Sequence, residues 1–310
     1  MRRFGRREFV QVALAGGCGL AASARAFGQA RGGAPARVTA TPFSDRIVAL
    51  SGAGGNIAVV IGPDGLLMVD GGLANRTMDV AAAVTAISPR MVQVLFNTHY
   101  HFDHVGSNER LGRGGTRIIA HQKVKDRLML RFENPAMGRT MEPLEDAGLP
   151  VETFTDGGRL VFGAETLEYT HVPDAHTDGD AWVFFPEANV LHTGDLFWTG
   201  RYPVIDYTVG GSLARMAEAI GALDRVGDER TRLIPGHGAP DATKAEMRAV
   251  REAWLTINER VETHVRAGRT LAEVLVAAPT REFDARFGVT DPRPFLQQAY
   301  GGALASLPVR

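Results

Sequence analysis

The chain has 310 residues, and 34 Lys and Arg against 35 Asp and Glu give it a net charge of −1. This near-neutral charge argues against a nucleic-acid partner, because phosphate binding requires a concentrated basic surface. Hydrophobic residues make up 45% and charged residues 22%, which is typical of a globular protein. Cys18 is the one cysteine, so no intrachain disulfide can form.

Residues 1–30 resemble a bacterial twin-arginine export signal. Arg6 and Arg7 precede an apolar run rich in Ala and Gly, which extends to about Ala24. Small residues follow at positions suited to cleavage near residue 26 or 30. The run is too short and too rich in glycine for a stable membrane span of about 20 residues, which favours export over an anchor helix.

A lipoprotein signal at Cys18 is a weaker alternative, because the residue three positions before it is Ala15 and the apolar stretch before it is short. We therefore expect a periplasmic or secreted protein that is carried by the twin-arginine export machinery. Residues 31–310 would then form a single mature domain, with no stable membrane span after cleavage.

Short β-rich segments separated by Gly, Asp and Asn turns open this mature chain. The alternation and apolar runs predict strands at 46–50, 57–61, 66–69, 92–96, 117–120, 166–171, 181–185, 189–191 and 232–234. Helical spacing and capping signals predict helices at 76–87, 122–131, 212–226, 240–266 and from 270 to Pro279. Two β-rich halves, each followed by helices, predict an α/β protein built as an αββα sandwich of two mixed β-sheets.

Four side chains of metal-binding type follow the predicted buried strand 92–96. His99 and His101 are two residues apart in an extended segment, so they point the same way and can hold one metal. Asp103 and His104 are adjacent, so they diverge and can reach a second metal. A loop just past a buried strand is a rigid rim on which such ligands can converge.

Three further residues repeat the pattern of a strand followed by a ligand. His176 comes after strand 166–171, Asp195 after strand 189–191, and His237 after strand 232–234. Each alone would more often be an ordinary loop residue. Together with the first cluster they make five histidines and two aspartates at strand ends.

This ordered set resembles the metallo-β-lactamase superfamily of hydrolases, over about residues 45–240. The resemblance implies that fold and two metal ions. It assigns the ligands in three groups: His99, His101 and His176 for the first metal, Asp103, His104 and His237 for the second, and Asp195 as a bridge. It also gives Asp70, in Asp70-Gly71-Gly72, a supporting role at the first site without metal contact. Nitrogen and carboxylate donors suit two Zn²⁺, and Mn or Fe also fit the ligand type.

The ligand set predicts a hydrolase that uses a hydroxide shared by the two metals, with Asp103 orienting it, and the N-terminal signal predicts that this hydrolase is exported. The expected substrate is a small molecule with a carbonyl ester, lactone, thioester or amide bond. A β-lactamase is the alternative, which export favours and which Asp195 and the absence of a mature cysteine disfavour. A di-metal oxidoreductase is more remote. Gly238-Ala239-Pro240 after the last histidine departs from the Glu-Tyr pair expected of glyoxalase II-like enzymes.

Aromatic residues cluster after Asp195. Because this segment leaves a strand end at the expected metal site, we predict that one wall of the substrate pocket contains Trp198, Arg201, Tyr202 and Tyr207. Residues 132–150 show little periodicity and are predicted to form a lid or opposite wall.

Overall fold

The computed structural model describes residues 37–306. The predicted export signal, its cleavage site and Cys18 lie outside the described residues. Fourteen strands occur in the described part; in chain order, β1 to β14 are Thr39–Pro42, Ile47–Ser51, Ile57–Ile61, Leu66–Val69, Val92–Asn97, Arg117–His121, Phe132–Asn134, Arg139–Met141, Glu152–Phe154, Gly157–Phe162, Glu165–Val172, Asp180–Phe185, Val190–Trp198 and Arg232–His237. The α-helices of the same range, α1 to α8, are Thr77–Ile87, Asn108–Arg113, Gln122–Leu128, Leu213–Leu223, Lys244–Arg266, Leu271–Ala277, Arg281–Asp284 and Arg293–Ala305.

Two mixed β-sheets form the centre of the fold. The first has seven strands in the order β1-β2-β3-β4-β5-β6-β9, antiparallel up to β4 and parallel beyond it. The second has the order β10-β11-β12-β13-β14, and only its last pair is parallel. Strands β7 and β8 form a separate hairpin.

The sheets pack face to face, and helices cover both outer faces. In β3, Ala58 and Val60 belong to the core between the sheets, whereas Ile57 and Val59 pack in the cluster that includes Val80 of α1. Alternate side chains of this strand therefore pack in two different cores, one on each face of the sheet. This arrangement confirms the predicted αββα sandwich.

A larger helical core covers the outer face of the second sheet. Leu191 of β13 and Leu233 of β14 pack in one buried cluster with Met216 of α4 and with Trp254 and Ile257 of α5. Each fully buried side chain of this size stabilises the fold by about 1.5–3 kcal/mol. The C-terminal helices α5 and α8 are thus part of the same core as the sheet.

Helix boundaries differ from the sequence prediction where caps decide them. The predicted helix 240–266 begins only at Lys244, because Thr243 and Glu246 form a reciprocal capping box. The predicted helix 212–226 begins at Leu213, since the Ser212 side chain caps it, and it ends at Leu223. Helices α2, α7 and α8 were not predicted, and the predicted lid contains the β7–β8 hairpin.

The part of the chain from residue 37 to residue 306 contains no helix with the length and hydropathy needed to cross a membrane.

His121 and His171 form a stacked pair at the edge of the sandwich, with ring centroids 3.7 Å apart and planes 7° apart. His121 Nδ1 accepts a bond from the Lys123 backbone, and its Nε2 lies 2.9 Å from the Thr155 carbonyl. The neutral ring satisfies both contacts. Burial and the neighbouring His171 ring lower the pKa of His121 accordingly.

We expect His121→Asn to flatten the pH dependence of stability on the acid side of neutrality. A lowered folded-state pKa means that the free energy of unfolding falls as pH drops below the unfolded value of about 6.5 and levels off below the folded pKa. Asparagine keeps a capping acceptor without titrating. Urea unfolding of the metal-loaded protein between pH 7.5 and 5 measures this slope, with His264→Asn in α5 as control; a slope equal to wild type would contradict the prediction.

Candidate active site

The seven predicted ligands converge at one end of the sandwich, between the two sheets. His99, His101, Asp103 and His104 lie in the loop after β5, and His176 lies in the loop between β11 and β12. Asp195 is inside β13 rather than after it, and His237 is the last residue of β14. The register of β13 against β14 shifts on both sides of Gly194, so this irregular segment aims Asp195 into the site.

The first group of ligand atoms comes from His99, His101, His176 and Asp195, and these atoms lie within 4.8 Å of one another. His101 Nδ1 is 2.8 Å from His176 Nε2. His176 Nε2 and His99 Nε2 lie 3.2 Å and 3.5 Å from Asp195 Oδ2. All four residues are buried.

The second group contains Asp103, His104 and His237, within the same 4.8 Å limit. His237 Nε2 is 3.3 Å from His104 Nε2 and 3.3 Å from Asp103 Oδ2. The Asp103 side chain is 17% exposed, against 2% for Asp195, so Asp103 faces the opening of the site.

Asp195 faces both groups. Its Oδ1 lies 3.2 Å from His104 Nε2, while its Oδ2 also lies 3.4 Å from His237 Nε2. One carboxylate therefore faces imidazoles of both predicted metal sites, the arrangement that a bridging ligand needs.

The residues fit a pair of metal ions. Although they are buried, His99 Nε2 and Asp195 Oδ1 make no hydrogen bond within residues 37–306. Buried polar atoms without a hydrogen-bond partner are costly unless a bound group, such as a metal ion, satisfies them. Five imidazoles and two carboxylates at these spacings form the nitrogen and oxygen donor set that zinc prefers, and each site would keep room for solvent.

Electrostatics favour an ionised Asp195. Burial would raise the pKa of this carboxyl, but His104 and His237 beside it hold the pKa well below its usual range. Burial would likewise lower the pKa of His176, yet Asp195 raises it to about 9. Asp195 is therefore available as an anionic ligand at neutral pH.

A buried carboxylate behind the ligands also orients a ring in each of the two groups. Asp70, at the end of β4, accepts from the Thr98 backbone at 2.8 Å and lies 2.7 Å from His104 Nδ1. Through the Thr98 hydroxyl it also reaches His99. Sequence reasoning assigned Asp70 to the first site; its direct contact is to His104 of the second group.

Asp206 orients the ring of His101 in the same way, and it was not predicted from the sequence. Its Oδ2 lies 3.0 Å from His101 Nε2 and accepts from Asn134 at 2.7 Å and from the Tyr100 hydroxyl. Burial would raise the pKa of Asp206, but the hydrogen bond from His101 and the other donors hold it below its usual range. A carboxylate behind a ligating histidine fixes its tautomer and orientation. Asp206 stands in an irregular segment without a motif, so no sequence signal marked it.

Two glycines allow this close packing. A Cβ on Gly55 would lie 2.3 Å from the His104 ring, and one on Gly236 would lie 1.9 Å from Asp195 Oδ1. These backbone segments press directly against two ligands and so help to hold them in place.

A family model described as the metallo-beta-lactamase superfamily matches residues 50–257. The chain belongs to that superfamily. The matched region covers the whole cluster, and metal dependence is a property of this superfamily. The resemblance read from the motifs is therefore confirmed.

Relatives within the superfamily are distant. A linear primary-alkylsulfatase from a Pseudomonas species is 20% identical over 77% of this chain and 52% of its own length. A hydroxyacylglutathione hydrolase from Brucella anthropi is 28% identical over 38% of each chain. The chain thus spans about half, or less, of the length of these relatives. A solved metallo-beta-lactamase from Pontibacter korlensis matches with a TM-score of 0.58 at 18% identity, covering 70% of this chain and 99% of its own, which shows the shared fold.

The predicted pocket wall divides into two parts. Trp198 lies at the site, with its ring 4.2 Å from the His237 ring, and the exposed Arg201 guanidinium lies 5.9 Å from the Trp198 ring. Tyr202 and Tyr207 contact helix α8. Tyr202 is buried and stacks on Phe295 of α8 at 4.3 Å, so its ring packs in the helical core, and its place in the pocket wall stays a prediction.

Tyr207 also packs on the C-terminal helix. An added Cβ on Gly301 of α8 would meet its ring at 3.0 Å. Because helix α8 was not predicted, the packing of these two rings against it could not be read from the sequence.

The β7–β8 hairpin lies against the site, within the stretch predicted as the opposite wall. Asn134 ties it to Asp206, and the Arg139 guanidinium lies 3.8 Å from the ring of Phe102, in the ligand loop. Gln298 of α8 donates to the Ala136 carbonyl of the hairpin and accepts from the Ile205 backbone. One side chain therefore joins the hairpin to the segment that carries Asp206.

We expect Asp206→Asn to weaken the metal site formed by His99, His101 and His176 by about 10- to 100-fold, the usual effect of losing such a supporting group. The amide keeps the shape but loses the charge and one acceptor oxygen. Competition with a chromophoric zinc chelator should show one of two metal equivalents released more easily.

Asp224→Asn is the matched control. The Asp224 carboxylate pairs with Arg248, and within residues 37–306 it forms no hydrogen bond with a metal ligand. Wild-type affinity for both equivalents in Asp206→Asn would contradict the assigned role.

Proposed function

We propose that this protein is an exported, binuclear zinc hydrolase that cleaves a small-molecule ester, lactone, thioester or amide. The observation that carries the proposal is the position of Asp195 between two ligand groups. Membership of the superfamily supports the hydrolase class, and the nitrogen-rich donor set supports zinc.

When bound, the two cations would lower the pKa of a solvent molecule and polarise the substrate carbonyl. The protein's part is to hold the ligands so that little reorganisation is needed during the reaction. Asp70 and Asp206 fix the rings of His104 and His101, and the Val204 carbonyl lies 2.8 Å from His176 Nδ1.

Asp103 is the group that we assign to proton movement. It is the more exposed of the two ligand carboxylates, so substrate and water approach it from the opening. Water attacks the carbonyl carbon, Asp103 accepts a hydrogen bond or the proton of that water, and the proton passes to the leaving oxygen, sulfur or nitrogen as its bond to carbon breaks. Trp198 covers His237 and keeps bulk solvent away from that side.

Sulfate-ester hydrolysis is a second candidate, favoured by the similarity to an alkylsulfatase over 77% of this chain. β-Lactam hydrolysis is a third, for which the expected periplasmic location is the supporting argument. A panel of ester, lactone, thioester, alkyl sulfate and β-lactam substrates assayed with the metal-loaded enzyme separates these classes.

We expect Asp195→Ala to keep at least one metal equivalent and to lose most of its turnover. The variant removes the shared carboxylate but leaves three protein ligands on each side. The loss should fall on kcat more than on KM, because the bridge serves the transition state rather than substrate binding. Elemental analysis and steady-state kinetics measure both quantities.

Asp64→Ala, in the exposed β3–β4 turn, is the control for a missing carboxylate. Thermal unfolding checks that Asp195→Ala is folded. If that variant keeps wild-type turnover and wild-type metal content, Asp195 is not a ligand and the binuclear proposal is wrong.

Export through the twin-arginine route is part of the proposal and is supported by Arg6 and Arg7 before the apolar run. That route carries folded cargo, which suits a protein that must acquire metal. We expect replacement of both by Lys to retain the protein in the cytoplasm, as measured by fractionation and immunoblotting. Replacement of Arg2 and Arg3 by Lys is the matched control, and an unchanged periplasmic yield for the Arg6/Arg7 variant would refute the route.

A further inference from the structure

Two arginines flank the opening of the candidate site without an acidic partner. Arg139 and Arg201 are both exposed, and within residues 37–306 neither guanidinium forms an ion pair or a side-chain hydrogen bond. Each lies over an aromatic ring instead, Arg139 over Phe102 and Arg201 near Trp198. Arg127, by contrast, is paired with Asp178.

The hairpin register directs Arg139 towards the site. Arg139 is the cross-strand partner of Asn134, and directly paired residues of an antiparallel ladder project from the same face. Asn134 uses that face to reach Asp206 behind His101. Phe102, under the Arg139 guanidinium, stands between the ligands His101 and Asp103 in the chain.

Arg201 approaches the opening from the end of β13. Trp198 pairs with His237 in the sheet register, and Thr199 donates its backbone N–H to the His237 carbonyl at 3.0 Å. The segment that leads to Arg201 is thereby held against a ligand of the second group. The two arginines thus approach from the hairpin and from the end of β13.

The arginines add positive charge on the open side of the ligands. The ligand set has two carboxylates, so two divalent cations would leave that set with a net charge of +2, whereas Asp70 and Asp206 are buried behind the rings of His104 and His101. A stacked guanidinium keeps its donors free at the ring edge, and its planar fork matches an oxyanion such as a carboxylate.

We propose that Arg139 and Arg201 form an anion-binding rim, and that the substrate carries a carboxylate or similar oxyanion apart from the bond that is cleaved. This inference rests on the proposed hydrolase function and narrows it to anionic substrates. The rim acts on substrate capture, so its removal raises KM for anionic substrates more than for neutral ones.

Three thioesters test the rim: neutral S-butyryl-N-acetylcysteamine, S-succinyl-N-acetylcysteamine with a carboxylate on the acyl side, and S-butyryl-N-acetylcysteine with one on the thiol side. We expect a lower KM for at least one anionic compound. Arg139→Gln and Arg201→Gln should each raise that KM about threefold to tenfold, with less effect in high salt, because exposed charges are screened.

Arg131→Gln is the control, since Arg131 lies next to the same hairpin but pairs with Glu142. Equal changes for neutral and anionic compounds, or no change for any, would overturn the rim. Turnover of the neutral compound alone would leave the hydrolase proposal standing and reject the rim. If none of the three thioesters is hydrolysed, thioester hydrolysis is excluded from the proposed function. Calorimetric binding of monomethyl succinate then still decides the rim: binding weakened by both glutamine variants supports it, and equal binding rejects it.

Discussion

The Asp195 carboxylate and its ring of imidazoles are the interaction on which the site depends. Placing an ionised carboxylate in a position with 2% exposure is costly unless opposite charges or donors surround it. Here the surrounding groups are His99, His104, His176 and His237, which come from different loops and strands of both sheets. The sandwich must therefore assemble correctly before this carboxylate is satisfied, and the site in turn links the two sheets at their common end.

The two carboxylates that hold the ligands from behind also depend on the tertiary structure. Asp70 belongs to the first sheet and reaches the adjacent ligand loop, so its contacts lie within one structural layer. Asp206 follows β13 and reaches back to His101 and to Asn134 of the hairpin, which joins parts of the chain 72 residues apart. The first site consequently depends on more of the tertiary structure than the second.

The ligand positions and the layer order could be predicted because both are local properties of the sequence. A buried strand followed by His99-Tyr100-His101-Phe102-Asp103-His104 carries its own spacing, and a continuous apolar run in a strand such as β3 marks two buried faces. The contacts of Asp206 and Tyr202 are different, because each depends on a partner far along the chain that no periodicity identifies. The stacking of Tyr202 on Phe295 could not be predicted, since Phe295 lies in a helix that the sequence did not reveal.

Gln298 gives the C-terminal helix a part in completing the site. Its amide joins the Ala136 carbonyl of the hairpin to the Ile205 backbone, and both of these segments border the opening. During synthesis, residue 298 emerges from the ribosome after all seven metal ligands, so this contact forms only after every ligand has been made. A nascent chain halted before residue 298 would already contain every ligand but would lack the Gln298 contacts. A defined substrate entrance therefore requires the folding of α8 as well as the ligand motif.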